Sequence, residues 1–309
     1  MNQIYIVTLK IVVCFIVGVI LKRTGVTDSR AERSISEVLI KAVLPFMILS
    51  SSQYVFDYEL VKGMIAVACF AGISYLVLLG ALTLINKKTR ETDSDKRVMT
   101  TCLVFSNISF IGIPLMEQLH GDEGLLLAAV FNLVFNIFFY TFGVTIISGR
   151  KFRPVYLIKD IVSTASIAAV ILFIAPYRFP YPVTSTLSFI GDIAFPLALI
   201  VLGSNIADLD LKRIFSDSKT YITVFIKLVI LPALVFGFIL ALSNFVTIRP
   251  VTKATIVLMT ALPSTSLCMV YADKYNMSPS LCARIVAFST LLMPLSALFW
   301  SWLVRTVLY

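Results

Sequence analysis

The sequence predicts an all-α membrane protein: ten transmembrane helices in two inverted five-helix repeats, with helices 4 and 9 broken. Three observations carry this. Apolar residues fill 59% of 309 positions against 14% charged, with a mean hydropathy of +0.94, more than a soluble core of this size requires. Ten apolar runs recur, each near the ~20 residues that span a hydrocarbon layer of about 30 Å. Basic residues alternate between loops, sixteen following runs 1, 3, 5 and 7 and four following runs 2, 4, 6 and 8.

The first run, about 4–21, continues without a small-residue cleavage motif and lacks a basic amino end, so it reads as a span and not as a secretory leader. Runs at 34–52 and 63–85 follow, the former carrying Pro45 in VLPFMILS. The fourth, 98–119, is interrupted by FSNISFIGIPL at 105–115, and the fifth, 124–147, follows HGDEG. The second half repeats the order: 157–176, 185–206 with Pro196 in AFPLALIVLGS, 220–243, 251–272 interrupted by ALPSTSLCM at 261–269, and 279–304. Ser106 then aligns with Pro263 and Asn107 with Ser264, which divides the chain into units 1–150 and 151–309. Five spans per unit is odd, so the second unit starts on the opposite side and the repeats are inverted.

The loop cations set the orientation. Lys22, Arg23, Arg30, Arg33; Lys87, Lys88, Arg90, Lys96, Arg97; Arg150, Lys151, Arg153, Lys159; and Lys212, Arg213, Lys219 mark the cytoplasmic side, placing both termini outside. The net charge of +9 is therefore a topology signal with some attraction to anionic lipid, not a nucleic-acid footprint. Cys14, Cys69, Cys102, Cys268 and Cys282 fall inside spans without metal spacing and read as small packing residues.

Each interruption places Pro and Ser, joined by Asn and Gly in the first and by Thr in the second, in a segment that hydrocarbon would otherwise hold helical. Such a break survives only buried in protein or lining a watery cavity, and a matched pair points to a secondary transporter's substrate site. Ser106, Asn107 and Ser109 in the first break, with Ser264, Thr265 and Ser266 in the second, supply neutral donors beside half-helix ends that suit an anion. Asn132 and Asn136 share one face of span 5, where interhelical bonding is as good a reading as ligand contact. Gly112, Pro114 and Pro263 shape the break. Lys41 and Asp192 lie four residues before Pro45 and Pro196, so they read as equivalent intramembrane charges for coupling or charge balance, with snorkelling the alternative for Lys41. Lys227 is a third candidate for coupling or charge balance, and with Lys10 and Arg284 it adds deep or near-deep cations that favour a carboxylate over a cationic substrate.

NISFIGIPL with HGDEG, FPLALIVLGSNIA, and ALPSTSLCMVYADKYN resemble the fourth-, seventh- and ninth-span motifs of the auxin efflux carrier family, which includes plant PIN carriers and bacterial malonate or malate permeases. The resemblance covers the whole chain. Lys227 with Pro232 is similar to that family's basic-x-x-x-x-Pro pattern in span 8. It implies that spans 4 and 9 unwind and cross at mid-membrane, and that spans 1, 2, 6 and 7 form a scaffold, a candidate homodimer surface, for a mobile bundle of the other six. Plant members often carry proline where Ser106 stands, and the short link at 150–154 lacks their long loop, so the likeness is to the bacterial type in an inner membrane. The expected function is alternating-access transport of a small organic anion such as malate, malonate or an auxin-like acid. No cofactor is implied beyond H⁺ or Na⁺ as coupling ion. A sodium-coupled bile-acid-type symporter is the nearest alternative on fold. A channel would show charge rings or filter loops. An enzyme lacks its base, because the sole histidine, His120, pairs in sequence with no nucleophile.

Overall fold

The computed structural model describes residues 2–149, 160–175, 177–207 and 217–308. The loop cations Arg150, Lys151, Arg153, Lys159, Lys212 and Arg213 lie outside the described residues. Within them every regular element is helical. Seven segments are long and apolar enough to cross a membrane: Tyr5–Arg23, Ser29–Ser51, Tyr58–Asn86, Ile108–Ser148, Tyr181–Ala207, Ser218–Leu242 and Pro279–Leu308. The chain is an integral, multi-pass, all-α membrane protein.

In chain order the helices are α1 (Asn2–Arg23), α2 (Ser29–Val38), α3 (Leu44–Ser51), α4 (Tyr58–Asn86), α5 (Asp93–Val104), α6 (Ile113–Phe138), α7 (Val144–Ser148) and α8 (Ile161–Ile174). They continue as α9 (Tyr181–Gly191), α10 (Ala194–Ala207), α11 (Ser218–Phe225), α12 (Leu231–Leu242), α13 (Pro250–Thr260), α14 (Ser266–Lys274) and α15 (Pro279–Leu308). Interruption explains why fewer than ten runs count as long spans: α5, α13 and α14 have 12, 11 and 9 residues because the chain leaves the helix at 105–107 and 261–265. Conversely, α6 passes through a turn at Gly121, whose φ of 61° and ψ of −152° are open to glycine and strained for other residues.

Prolines explain most of the remaining irregularity. The wide π turns Leu39–Val43, Ile108–Gly112 and Ile226–Ile230 each end two residues before a proline, at Pro45, Pro114 and Pro232. Proline offers no N–H and its ring crowds the carbonyl one turn back, so a widened turn lets the helix continue. Pro196 is accommodated differently, in the first turn of α10 after the helix stops at Gly191. Pro45 and Pro196 thus match in sequence but not in local device.

Helices α1 and α10 approach closely. A Cβ on Gly18 would lie 2.1 Å from the Ile200 carbonyl oxygen, and one on Gly203 would lie 2.2 Å from that of Phe15. Small residues at this contact let the backbones meet, the main attraction available where lipid competes equally for apolar surface. At one end of this pair, Glu32 is buried, accepts a 2.5 Å hydrogen bond from Ser204 and pairs with Lys22 at 2.8 Å. Elsewhere Lys219 joins Asp95 at 2.8 Å and also Glu91, while Ser278 donates to Asp95 at 2.6 Å, tying α5, α11 and the approach to α15 together.

Two predictions follow from this packing. Gly203→Val should place a side chain against the α1 backbone and lower the melting temperature in detergent, with Gly237→Val, which meets nothing within 4 Å, as the silent control. Burial acts to raise the Asp95 carboxyl, but hydrogen bonds from Lys219 and Ser278 outweigh it and hold it below the usual carboxylate range. Its stabilisation is present above the unfolded value of about 3.9 and disappears as pH falls through the lower folded value. Asp95→Asn should therefore cost stability at neutral pH and shrink the acid-induced fall in melting temperature.

Candidate functional site

The two breaks meet. Asn107 N–H donates to the Pro263 carbonyl at 2.8 Å and Thr265 N–H to the Phe105 carbonyl at 3.1 Å, forming one antiparallel bridge between Ser106 and Ser264. These bonds are related by a local two-fold that pairs Ser106 with Ser264 and Asn107 with Thr265. This register differs by one residue from the motif alignment, which set Ser106 against Pro263. The crossing forms with serine at position 106: Phe105 is extended (φ −100°, ψ 114°), and Asn107 is non-helical (φ −81°, ψ 70°).

Helices that stop inside hydrocarbon expose carbonyls, each costly without a donor. Here donors arrive from across the fold. Ser264 Oγ donates to the Cys102 carbonyl at 2.8 Å, and Lys227 Nζ to the Leu103 carbonyl at 2.9 Å and to Ser106 Oγ at 2.8 Å. Ser296 Oγ reaches the Ala261 carbonyl at 3.1 Å, and the Ser264 N–H donates to Ser289 Oγ at 3.2 Å. Lys227 is 1% exposed and has no ion-pair partner among the described residues. Its two donated hydrogen bonds satisfy a carbonyl freed at the C-terminal end of α5 and hold Ser106 beside it. Phe105 fixes the break from behind, with its ring 5.6 Å from Tyr75 and 5.1 Å from Phe139. Gly112 allows the two chains to close up, since a Cβ there would lie 2.7 Å from Leu262 Cδ1 and 2.9 Å from Met259 Sδ. Pro114 and Pro263 are buried in the same region.

The helices resume at Ile108 and Ser266, and the Ser109, Phe110 and Ser266 N–H groups find no acceptor among the described residues. Beside the first of these ends, Ser109 Oγ donates to Asn132 Oδ1 at 2.6 Å. Asn132 is 0% exposed, and its Nδ2 has no partner among the described residues. Asn107 is buried and its side chain makes no hydrogen bond among the described residues. Thr265 caps α14, accepting from Leu267 N–H at 3.4 Å, while Ser266 is exposed. The site region thus contains unpaired donors from Asn132, Asn107 and two helix starts.

Other sequence candidates lie elsewhere. Asn136 donates to Ser163 Oγ at 2.6 Å and Asp160 Oδ2 at 3.0 Å, where Asp160 also caps α8, so it joins helices. Lys41 is 66% exposed and pairs with Glu37 at 2.7 Å. Asp192 is exposed at the end of α9 and makes no bond to the crossing. Lys10 donates to Gln118 at 3.0 Å, and Arg284 pairs with Asp217 at 2.9 Å. Cys102 and Cys282, spaced 180 residues apart, touch at 3.7 Å, but no group able to hold a metal exists among the described residues. Sequence reasoning placed Lys227 in a span without placing it at the crossing, and gave Tyr75 no part. A lysine five residues before a proline was the available signal for the former.

Comparison with known proteins identifies the family. The sequence matches the family described as membrane transport protein over residues 3–157 and again over 151–301. The chain belongs to that family, the auxin efflux carrier or PIN-like family. It is 24% identical over 299 residues to an uncharacterized transporter of Methanothermobacter thermautotrophicus, covering 95% of this chain and 96% of the relative. An uncharacterized transporter of Methanocaldococcus jannaschii is 23% identical over 313 residues, covering 96% and 97%. The protein is a membrane transporter and not an enzyme.

The carbonyl accounting predicts a contrast between neighbouring serines. Ser264→Ala strands the Cys102 carbonyl and should cost about 1–3 kcal/mol, whereas Ser266→Ala should stay within about 0.5 kcal/mol. Thermal unfolding of the purified variants in one detergent checks both.

Proposed function

We propose that the protein is an alternating-access carrier for a small organic anion, bound where the two breaks cross. The observation that carries this is the unpaired donor set beside the Ser106–Ser264 bridge: Asn132 Nδ2, the Asn107 amide and the first-turn N–H groups at Ser109, Phe110 and Ser266. Donors without acceptors attract a carboxylate, and both resumed helices present their positive ends. Malate, malonate or an auxin-like acid fits this chemistry.

In this reading the chain has ten spans in two inverted units, 1–150 and 151–309. The breaks count as spans 4 and 9, and the Gly121 turn separates spans 4 and 5. The meeting of two breaks, one from each unit, at a single bridge supports it. The loop cations put both termini outside. Lys227 already supplies positive charge to the Leu103 carbonyl that a sodium ion could otherwise coordinate, which favours proton-linked or uncoupled transport over Na⁺ coupling.

Proteoliposomes given a panel of labelled carboxylates, with and without pH and Na⁺ gradients, test this. The expected result is saturable uptake with counterflow, unchanged by Na⁺, and weakened in Asn132→Leu through a higher KM. No uptake of any anion under any gradient would overturn the proposal, as would an unsaturable single-channel current.

A further inference from the structure

A cavity of about 620 Å³ lies between α4, α12 and the broken end of α5. None of Asn107, Ser109 or Asn132 lines it, so it is distinct from the donor set above. Its outer wall includes Ile73, Leu234 and Phe238, which are 62%, 66% and 54% exposed. On membrane-spanning helices that exposure faces acyl chains, so the cavity opens sideways into the bilayer. Its lining also includes Lys227 and Ser106 of the crossing, and Tyr75. Lys227 spends two of its three N–H bonds on Leu103 and Ser106 and has no carboxylate partner among the described residues. The buried Tyr75 side chain makes no hydrogen bond among the described residues.

We propose that this cavity binds a single-chain amphiphile carrying one carboxylate, admitted from the bilayer with its head at Lys227 and Tyr75 and its tail along Ile73, Leu234 and Phe238. An ammonium buried without a counter-charge is held at a penalty of several kcal/mol, which one bound carboxylate would relieve. The volume lies within the range of small-molecule sites. Almost every other lining group is apolar, so a small hydrophilic acid would leave that wall unsatisfied, whereas an alkyl chain covers it. The head is a monoanion because one N–H of the ammonium remains and the phenol is a neutral donor. With no second cation in the lining, a phosphate dianion would keep an unpaired buried charge. The proposal concerns binding alone and stands independently of what the crossing carries.

The test uses the full chain in zwitterionic phosphatidylcholine nanodiscs, photolabelled with a diazirine derivative of dodecanoic acid and mapped by peptide mass spectrometry. Saturable adducts on the α4 and α12 wall are expected, displaced by excess dodecanoate but not by dodecanol, dodecylammonium or dodecyl phosphate. Lys227→Gln should abolish the displacement pattern. Because that variant disturbs the crossing, Leu234→Trp at the cavity mouth provides the second arm, and should lower occupancy about ten-fold, equivalent to about 1.4 kcal/mol, with folding unchanged by size exclusion. Unsaturable labelling, equal displacement by dodecanol, preferential displacement by dodecyl phosphate, or unchanged labelling of a folded Leu234→Trp protein would each overturn the assignment.

Discussion

Inside a hydrocarbon layer a carbonyl without a donor has no water to turn to, and this constraint organises the protein. Two helices stop partway, and each stop frees carbonyls at Cys102, Leu103 and Ala261 while turning those of Phe105 and Pro263 out of helical register. Each of these five accepts a hydrogen bond, and the donors come from both breaks, from the π turn ahead of α12 and from α15. Lys227, Ser264 and Ser296 are therefore fixed by backbone need before any ligand is considered. The same need explains the burial of Phe105 and the tight approach at Gly112, because the bridge forms only if the two chains close to hydrogen-bonding distance.

The breaks themselves were legible in the sequence, since proline with serine is out of place in an apolar run and occurs twice, beside Asn107 and Gly112 in the first case and Thr265 in the second. Their junction was legible only through family likeness, because nothing local to 105–115 says that 261–269 will lie against it. The partner of the break was harder still. Lys227 lies 121 residues from Ser106, and neither a period nor a motif links them. Equal spacing from proline did not bring equal local structure. Lys41 and Asp192 each precede a proline by four residues, yet one lies on a helix widened through a π turn and the other at a helix end, so equal spacing gives unequal faces.

The paired amides of α6 carry a similar lesson. Asn132 and Asn136 are one turn apart and share a face, as the i, i+4 rule requires. Their partners nevertheless differ, because Asn132 lies level with Ser109 while Asn136 lies level with the start of α8. One amide retains an unused donor, and the other is consumed in joining helices. Periodicity identifies the face, but only tertiary packing decides which neighbour stands at each level along it.

A lysine held by its own backbone deep in the hydrocarbon also sets how the membrane potential acts on the molecule. A unit charge moved through the whole field changes in energy by about 2.3 kcal/mol per 100 mV. If the crossing takes the anion proposed above and Lys227 is protonated, the empty crossing carries one positive charge and the filled one a sum close to zero. Any rearrangement that takes the crossing through the field would then be driven by voltage when empty and nearly indifferent to it when filled. The resting potential would act on the return of the vacant site, leaving the loaded step to the concentration gradient of its cargo.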